Sequence, residues 1–405
     1  MKVKSLLLSM CAIAALASCS QNDDEITSVN DAPEAKVTIK FAGSGAATRA
    51  GGIGADDAVI NNLTAFFFNS SGALIKSPVE ANLTTDVNNT NEVTLATTTD
   101  ATQVVLVANT PVGVDYTGVT NISKLKEVVI SSLGATSGGN TSINQTSTNL
   151  TMSGWGGITM GENKGTATVQ LHFISAKISK ITFKFTDVES QAHYAANEEG
   201  LTNPETGWFT IKQAYLMTAQ TKSTLIPDNA TVDAWNGRFG PTTGFEYTGG
   251  IAWGTGDWQP TKSDYKVSTD YLNKTISAPS SGIIENVVGT NPWYVFENNS
   301  PDQTAVVVEA ICNIYDEASK TTKKESRYFT VYFGEKKAAS GNFDIIKAGN
   351  DYSITLTANG TFDPKTGTSG GATPDPTKPS VEADVTITVN TATWTANATI
   401  EKEFN

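Results

Sequence analysis

The sequence predicts an all-β protein, built as two tandem β-sandwich domains with few short helices. Three observations predict it. The apolar segments are short and alternate with polar residues. The stretches between them are rich in Thr, Ser, Asn and Gly, the residues of turns. Strand-like runs also follow one another with little helical pattern between them, which argues for sandwiches and against βαβ units. A chain of 405 residues has room for two such domains, each with its own core.

At the start of the chain, Lys2 and Lys4 precede an apolar run from Leu6 to Leu16, and the small residues Ala17 and Ser18 precede Cys19. These are the three parts of a secretory signal, and the run is shorter than the ~20 residues that span a bilayer. Leu16-Ala17-Ser18-Cys19 resembles a lipobox, which implies cleavage before Cys19 (signal 1–18) and a lipid on its thiol, with an outer-membrane anchor. An ordinary signal cleaved near Ala17 is the alternative. The acidic stretch Ser20 to Glu25 is repelled by anionic headgroups and resembles the signal that sends lipoproteins of the Bacteroidota to the outer face of the outer membrane.

Ala35 to Phe41 is the first strand. The loop Ala42 to Gly52 after it is made of small residues and contains Arg49, so it is open to proteolysis. Cutting there frees the lipid anchor with the first strand (19–49) and leaves an apolar groove with unpaired backbone groups, a site for β-augmentation. Leu63 to Phe68, a hairpin turn at Asn69-Ser70-Ser71-Gly72, Val104 to Ala108, and Val169-Leu171-Phe173 continue the first domain. Ile122, Leu125, Val129 and Leu133 follow helical spacing behind a capping Asn121. The pattern restarts near Ser175, which divides domains 50–175 and 176–360. The second contains Ile181-Phe183-Phe185, Val306 to Cys312, Tyr328 to Phe333 and Tyr352-Ile354-Leu356. Residues 361–380, with four prolines at 364, 374, 376 and 379, form a linker. The segment 381–405 is amphipathic: Val385, Ile387 and Val389 share one parity, whereas Trp394 and Ile400 share the other. A bulge or corner between Asn390 and Thr393 is therefore expected. This strand could fold back on its own domain or reach another molecule.

The net charge of −13 and the presence of only three arginines, Arg49, Arg238 and Arg327, argue against nucleic acid as a partner. Cys11 leaves with the signal and Cys19 takes lipid, so Cys312 is left without an intramolecular disulfide partner and reads as a buried thiol. His172 and His193, read as surface or loop residues, have no metal-ligand spacing around them, and no cofactor is expected. No Gly-x-Ser-x-Gly elbow is present, and Gly154-Trp155-Gly156-Gly157 lacks the context of a phosphate loop, so no enzyme is expected. The aromatics Trp235, Phe239, Phe245, Tyr247, Trp253 and Trp258 pack a long loop onto the second domain or, alternatively, stack on sugars.

The order of these features resembles the major fimbrillins of the Bacteroidota, the type V pilins. The resemblance rests on the lipobox at Cys19, the strand followed by the Arg49 loop, Leu63 to Asn69, Val104 to Asn109, Met152-Ser153-Gly154, Ala176-Lys177-Ile178, Asn350 to Leu356, and the terminal segment Val385 to Phe404. Phe173 departs from the pattern, as members often carry a basic residue there. The resemblance implies transthyretin-like, Greek-key sandwiches and a shaft subunit that assembles by strand exchange. An arginine-specific protease would cut after Arg49, leaving Ala50 as the mature N-terminus. Val385, Ile387, Val389, Trp394 and Ile400 would then act as donor residues in a neighbouring subunit's groove. Partners would be further copies of the chain and minor pilus subunits, with adhesion as the role. The alternatives are a tip or anchor component of the same pilus and a glycan-binding surface lipoprotein that keeps Cys19 as a permanent anchor.

Overall fold

The computed structural model describes residues 32–41, 59–83, 92–131, 133–137, 140–143, 145–185, 209–217, 219–227, 239, 274–276, 283–284, 292–300, 303–316, 321–336, 344–358 and 385–393. All of these but Ala32 and Pro33 belong to the larger of two units, Glu34–Asn405.

The first half of the larger unit is nearly all strand: β1 (Glu34–Phe41), β2 (Leu63–Phe68), β3 (Val79–Glu80), β4 (Glu92–Thr98) and β5 (Gln103–Ala108), then α1 (Ile122–Lys126). After the helix come β6 (Val129–Ser131), β7 (Leu133–Ser137), β8 (Asn140–Ile143), β9 (Met152–Met160), β10 (Lys164–Val169) and β11 (His172–Phe173). An eight-stranded sheet has the order β3-β2-β5-β9-β10-β1-β4, with β11 also on β9. Its two ends fold over one core, in which Val37, Ile39, Phe41, Val93, Leu95 and Val169 meet Leu63, Phe67, Val104, Leu106 and Met152.

β2 and β5 read as continuous apolar runs because both of their faces are covered. Leu63, Ala65 and Phe67 face the first core. Phe66, Phe68, Val105 and Val107 face a second core, shared with Leu125, Ile130, Leu225, Ile226, Phe239 and Phe296. The turn between β2 and the following bridge forms as its sequence predicts. Gly72 has φ +79°, and the Asn69 side-chain oxygen accepts from the Ser71 N–H at 3.0 Å and the Ala73 N–H at 3.0 Å.

The glycines of Gly154-Trp155-Gly156 have a packing reason. A Cβ on Gly154 would collide with the backbone oxygen of Gln170, and one on Gly156 would lie 2.5 Å from that of Thr168. β9 thus lets the chain between β10 and β11 pass directly over it.

The expected helix is shorter than its spacing predicts. Asn121 caps it, accepting from the Lys124 N–H at 3.0 Å, but only Ile122 and Leu125 of the four apolar residues belong to it. Val129 lies in β6 and Leu133 in β7, because β6 finds a strand partner in β14 (Lys222–Thr224).

The second half contains β12 (Ser175–Phe185), β13 (Phe209–Met217), β14, β15 (Lys274–Ile276), β16 (Ile283–Ile284), β17 (Trp293–Phe296), β18 (Ala305–Asp316) and β19 (Thr321–Tyr332). It closes with β20 (Glu335–Lys336), β21 (Asp344–Ile345), β22 (Asn350–Ala358) and β23 (Val385–Thr393). One sheet runs β16-β12-β22-β23 with β17 on β12, and another runs β15-β13-β18-β19. Cys312 lies on β18, between Phe209 of β13 and Glu325 of β19. Where β12 begins, a buried polar network ties it to the first half. Ser175 Oγ donates to Gln145 Oε1 at 3.0 Å, Gln145 Nε2 donates to Thr151 Oγ1 at 2.9 Å, and Thr151 Oγ1 donates to the Asn109 carbonyl at 2.8 Å. Each of these buried polar groups has a partner, so the junction avoids the cost of unmade hydrogen bonds.

Candidate assembly site

β1 is the first strand among the described residues and an interior strand of its sheet. It runs parallel to β10, from Lys36 opposite Lys164 to Phe41 opposite Val169. It runs antiparallel to β4, from Glu34 opposite Thr98 to Lys40 opposite Glu92. Its alternation is regular: Ala35, Val37, Ile39 and Phe41 are buried, with Val37 and Ile39 at 0 % exposure, while Glu34, Lys36 and Lys40 are exposed. Each large side chain contributes about 1.5–3 kcal/mol on burial. Beside Val37, a Cβ on Gly165 would lie 3.0 Å from Val37 Cγ2, tighter than an ordinary contact. On the outer face, Thr38 Oγ1 and Thr94 Oγ1 lie 3.1 Å apart, and Lys40 Nζ lies 3.0 Å from Glu92 Oε1.

Both ladder neighbours of β1 come from elsewhere in the chain. Without β1, β4 and β10 would face each other across a gap flanked by the core residues Val93 and Leu95 of β4 and Ala167 and Val169 of β10. Two rows of backbone donors and acceptors would lose their partners, an arrangement that favours capture of another strand. Arg49 and Ala50, in the connection that follows β1, lie outside the described residues, as does Cys19. The chain is described again from Val59, where Asn109 holds it. Asn109 Nδ2 donates to the Val59 carbonyl at 2.6 Å and the Leu150 carbonyl at 2.9 Å, and its Oδ1 accepts from the Asn61 N–H at 2.7 Å. The sequence reading missed this clamp, although an Asn directly after a strand is a recognisable left-handed position.

At the other end of the chain, β23 is an edge strand with one neighbour among the described residues. It pairs antiparallel with β22, with Val385 opposite Ala358, Ile387 opposite Leu356 and Val389 opposite Ile354. The ladder continues without a shift through Asn390, Thr391, Ala392 and Thr393. The bulge or corner expected there is absent, because these residues find regular partners from Ser353 back to Asn350. Trp394 and Ile400 lie outside the described residues, as does the linker at 361–380.

Phe239 of the aromatic group is buried, but in the second core, where most of its companions, such as Phe66, Phe68, Val105 and Leu125, come from the first half rather than from the second domain. Trp235, Phe245, Tyr247, Trp253 and Trp258 lie outside the described residues, as does His193. His172 is half-buried rather than on the surface, because β11 lies against β9, and burial pushes its imidazole below its usual pKa of 6.5. Phe173 is buried in the first core, so a basic residue at that position would have to displace core packing. Among the described residues no group of three His, Cys, Asp or Glu side chains is placed to hold a metal ion.

Residues 35–173 match the family described as Major fimbrial subunit protein (FimA), and residues 220–394 match FimA-like major fimbrial subunit protein, C-terminal domain. The chain belongs to the FimA-like fimbrillin family. The first match begins within β1 and the second reaches past β23, so both end strands of this fimbrillin fall inside the family pattern. A crystal structure of a candidate cell adhesion protein from Bacteroides eggerthii is similar, with 26% identity over 90% of this chain and 97% of that one, at a TM-score of 0.57. One from Parabacteroides distasonis shares the fold, with 18% identity over 90% and 98% of the two chains, at a TM-score of 0.52. No curated protein matches this fimbrillin. Family membership makes it a fimbrial subunit that assembles with other pilus subunits in a cell-surface, extracellular structure.

Proposed function

We propose that this fimbrillin is a shaft subunit exported as a lipoprotein precursor, cleaved after Arg49, and polymerised by insertion of a neighbour's C-terminal strand into the groove that β1 vacates. In this reading lipid on Cys19 delivers the precursor to the outer membrane, an arginine-specific protease releases residues 19–49, and Ala50 becomes the mature N-terminus. Val385, Ile387, Val389, Trp394 and Ile400 are the donor residues, the linker at 361–380 gives them reach, and the two sandwiches meet near Ser175. The protein works by assembly and adhesion, without catalysis, metal or cofactor.

The observation that supports this reading most directly is the position of β1: first among the described strands, interior in the sheet, and followed in sequence by small residues with an arginine among them. A strand placed so can leave as a unit and leave a complete groove behind. In contrast, among the described residues β23 pairs with one neighbour, so its withdrawal leaves their other ladders closed.

The test treats purified precursor with an arginine-specific protease and follows filament formation by electron microscopy. Wild type should polymerise after cleavage and Arg49→Ala should remain monomeric. Polymerisation of Arg49→Ala at the wild-type rate overturns the reading.

A further inference from the structure

Two segments at opposite ends of the chain are near copies. Glu34-Ala35-Lys36-Val37-Thr38-Ile39-Lys40-Phe41 and Glu382-Ala383-Asp384-Val385-Thr386-Ile387-Thr388-Val389 agree, without a gap, at Glu, Ala, Val, Thr and Ile. The agreement falls on the positions that matter in the groove. Of the four buried residues of β1, Ala35, Val37 and Ile39 are all repeated, and Phe41 is replaced by a smaller apolar residue. Thr38, whose hydroxyl meets that of Thr94, is repeated as Thr386. Two of the three differences fall on the exposed residues Lys36 and Lys40.

We infer that residues 382–389 of one subunit replace residues 34–41 of the next, position for position, with Val385, Thr386 and Ile387 at the places of Val37, Thr38 and Ile39. This register rests on the strand-exchange reading above and specifies the partner as a second copy of this chain.

The differences have a direction. β1 sets Lys36 beside Lys164, a like-charged pair, whereas Asp384 at that place gives an opposite-charged one. Phe41 fills more volume than Val389, and Lys40 pairs with Glu92 where Thr388 cannot. The precursor's own strand therefore fits the far end of the groove better, and being covalently attached it holds the site until the chain is cut. The register in cis is different. β22 presents Ile354-Thr355-Leu356 to β23 much as β4 presents Val93-Thr94-Leu95 to β1. In cis, Thr388 stands opposite the central Thr355, whereas in the copied register Thr386 stands opposite Thr94. Transferring the cis register to the groove would move the strand by two residues and set Thr391 at the buried place of Phe41, at the cost of burying a hydroxyl.

Two measurements decide between the registers. In a Cys312→Ser background, one variant carries Thr94→Cys with Thr386→Cys and another carries Thr94→Cys with Thr388→Cys. Both are cleaved, polymerised and oxidised. A ladder of disulfide-linked multimers is expected from the first variant and monomers from the second. A ladder from the second alone, or from neither while filaments form, overturns the register and leaves strand exchange standing. Absence of filaments from the Cys312→Ser parent overturns both. Independently, Val389→Phe restores the residue of β1 in the copied register and should slow subunit loss from filaments roughly tenfold. In the shifted register it would overfill the place of Ile39, and faster loss would count against the proposal.

Discussion

Asn109 is the one non-glycine residue with positive φ among the described residues, at 55°, and its side chain is fully buried. Asn tolerates this region of backbone space better than most side chains, and here its amide also closes three hydrogen bonds to Val59, Asn61 and Leu150. Asn109→Ala loses both features and should cost about 2–4 kcal/mol, read as a lowered urea midpoint. Asn109→Gly should recover part of the loss, because it relieves the backbone without restoring the bonds. If the two variants are equally unstable, the backbone contribution is wrong. His172 gives a pH dependence. Burial lowers its pKa below 6.5, so at higher pH it is neutral in both folded and unfolded chains and costs nothing. As pH falls through 6.5 the unfolded chain takes up a proton that the folded one resists; stability drops until the folded-state value is passed, then levels off. His172→Asn should flatten that part of a stability-versus-pH curve, and an unchanged slope would contradict the assignment.

Among the elements, β9 depends on its glycines. Gly154→Ala drives a methyl group into the backbone at Gln170, which a side-chain rotation cannot relieve. A loss of about 3 kcal/mol or more is expected, measured by chemical denaturation, while Gly118→Ala, where a Cβ meets nothing within 4 Å, serves as the matched control. Equal stability of the two variants would mean that the segment over β9 moves away at little cost. The strands themselves were legible in the sequence, because period-two alternation and continuous apolar runs both depend on local residue choice. β1 alternates because its outer face meets solvent, and β2 is continuous because Phe66 and Phe68 meet a second core. The short helix was not legible. Ile122, Leu125, Val129 and Leu133 keep helical spacing, yet Val128-Val129-Ile130 is β-branched and Ile130 pairs with Ser223, far along the chain. Local spacing cannot report a partner at that separation.

Across the whole molecule the two end strands are unequal in a way that sets how a fimbrillin fails. Among the described residues, β1 has two neighbours and lies over a core, whereas β23 has one neighbour and lies at a sheet edge. The sequence made both ends visible as strands, but only the sheet order distinguishes interior from edge. Among the described residues, deleting 381–405 uncovers one side of β22 and leaves every other ladder in place. The truncated protein should therefore fold, with a melting temperature lower by several degrees and a single cooperative transition. On the proposed strand-exchange mechanism, once cut after Arg49 it would still open the groove between β4 and β10 but would have no strand to donate. It would accept a neighbour and pass nothing on, so it should act as a terminator. Mixed at a small molar fraction with cleaved wild-type subunits, it should shorten filaments in proportion to that fraction, measured as length distributions by electron microscopy. Unchanged lengths would show that the groove does not accept the C-terminal strand. Loss of folding on truncation would show that β23 is a structural strand of its own sheet.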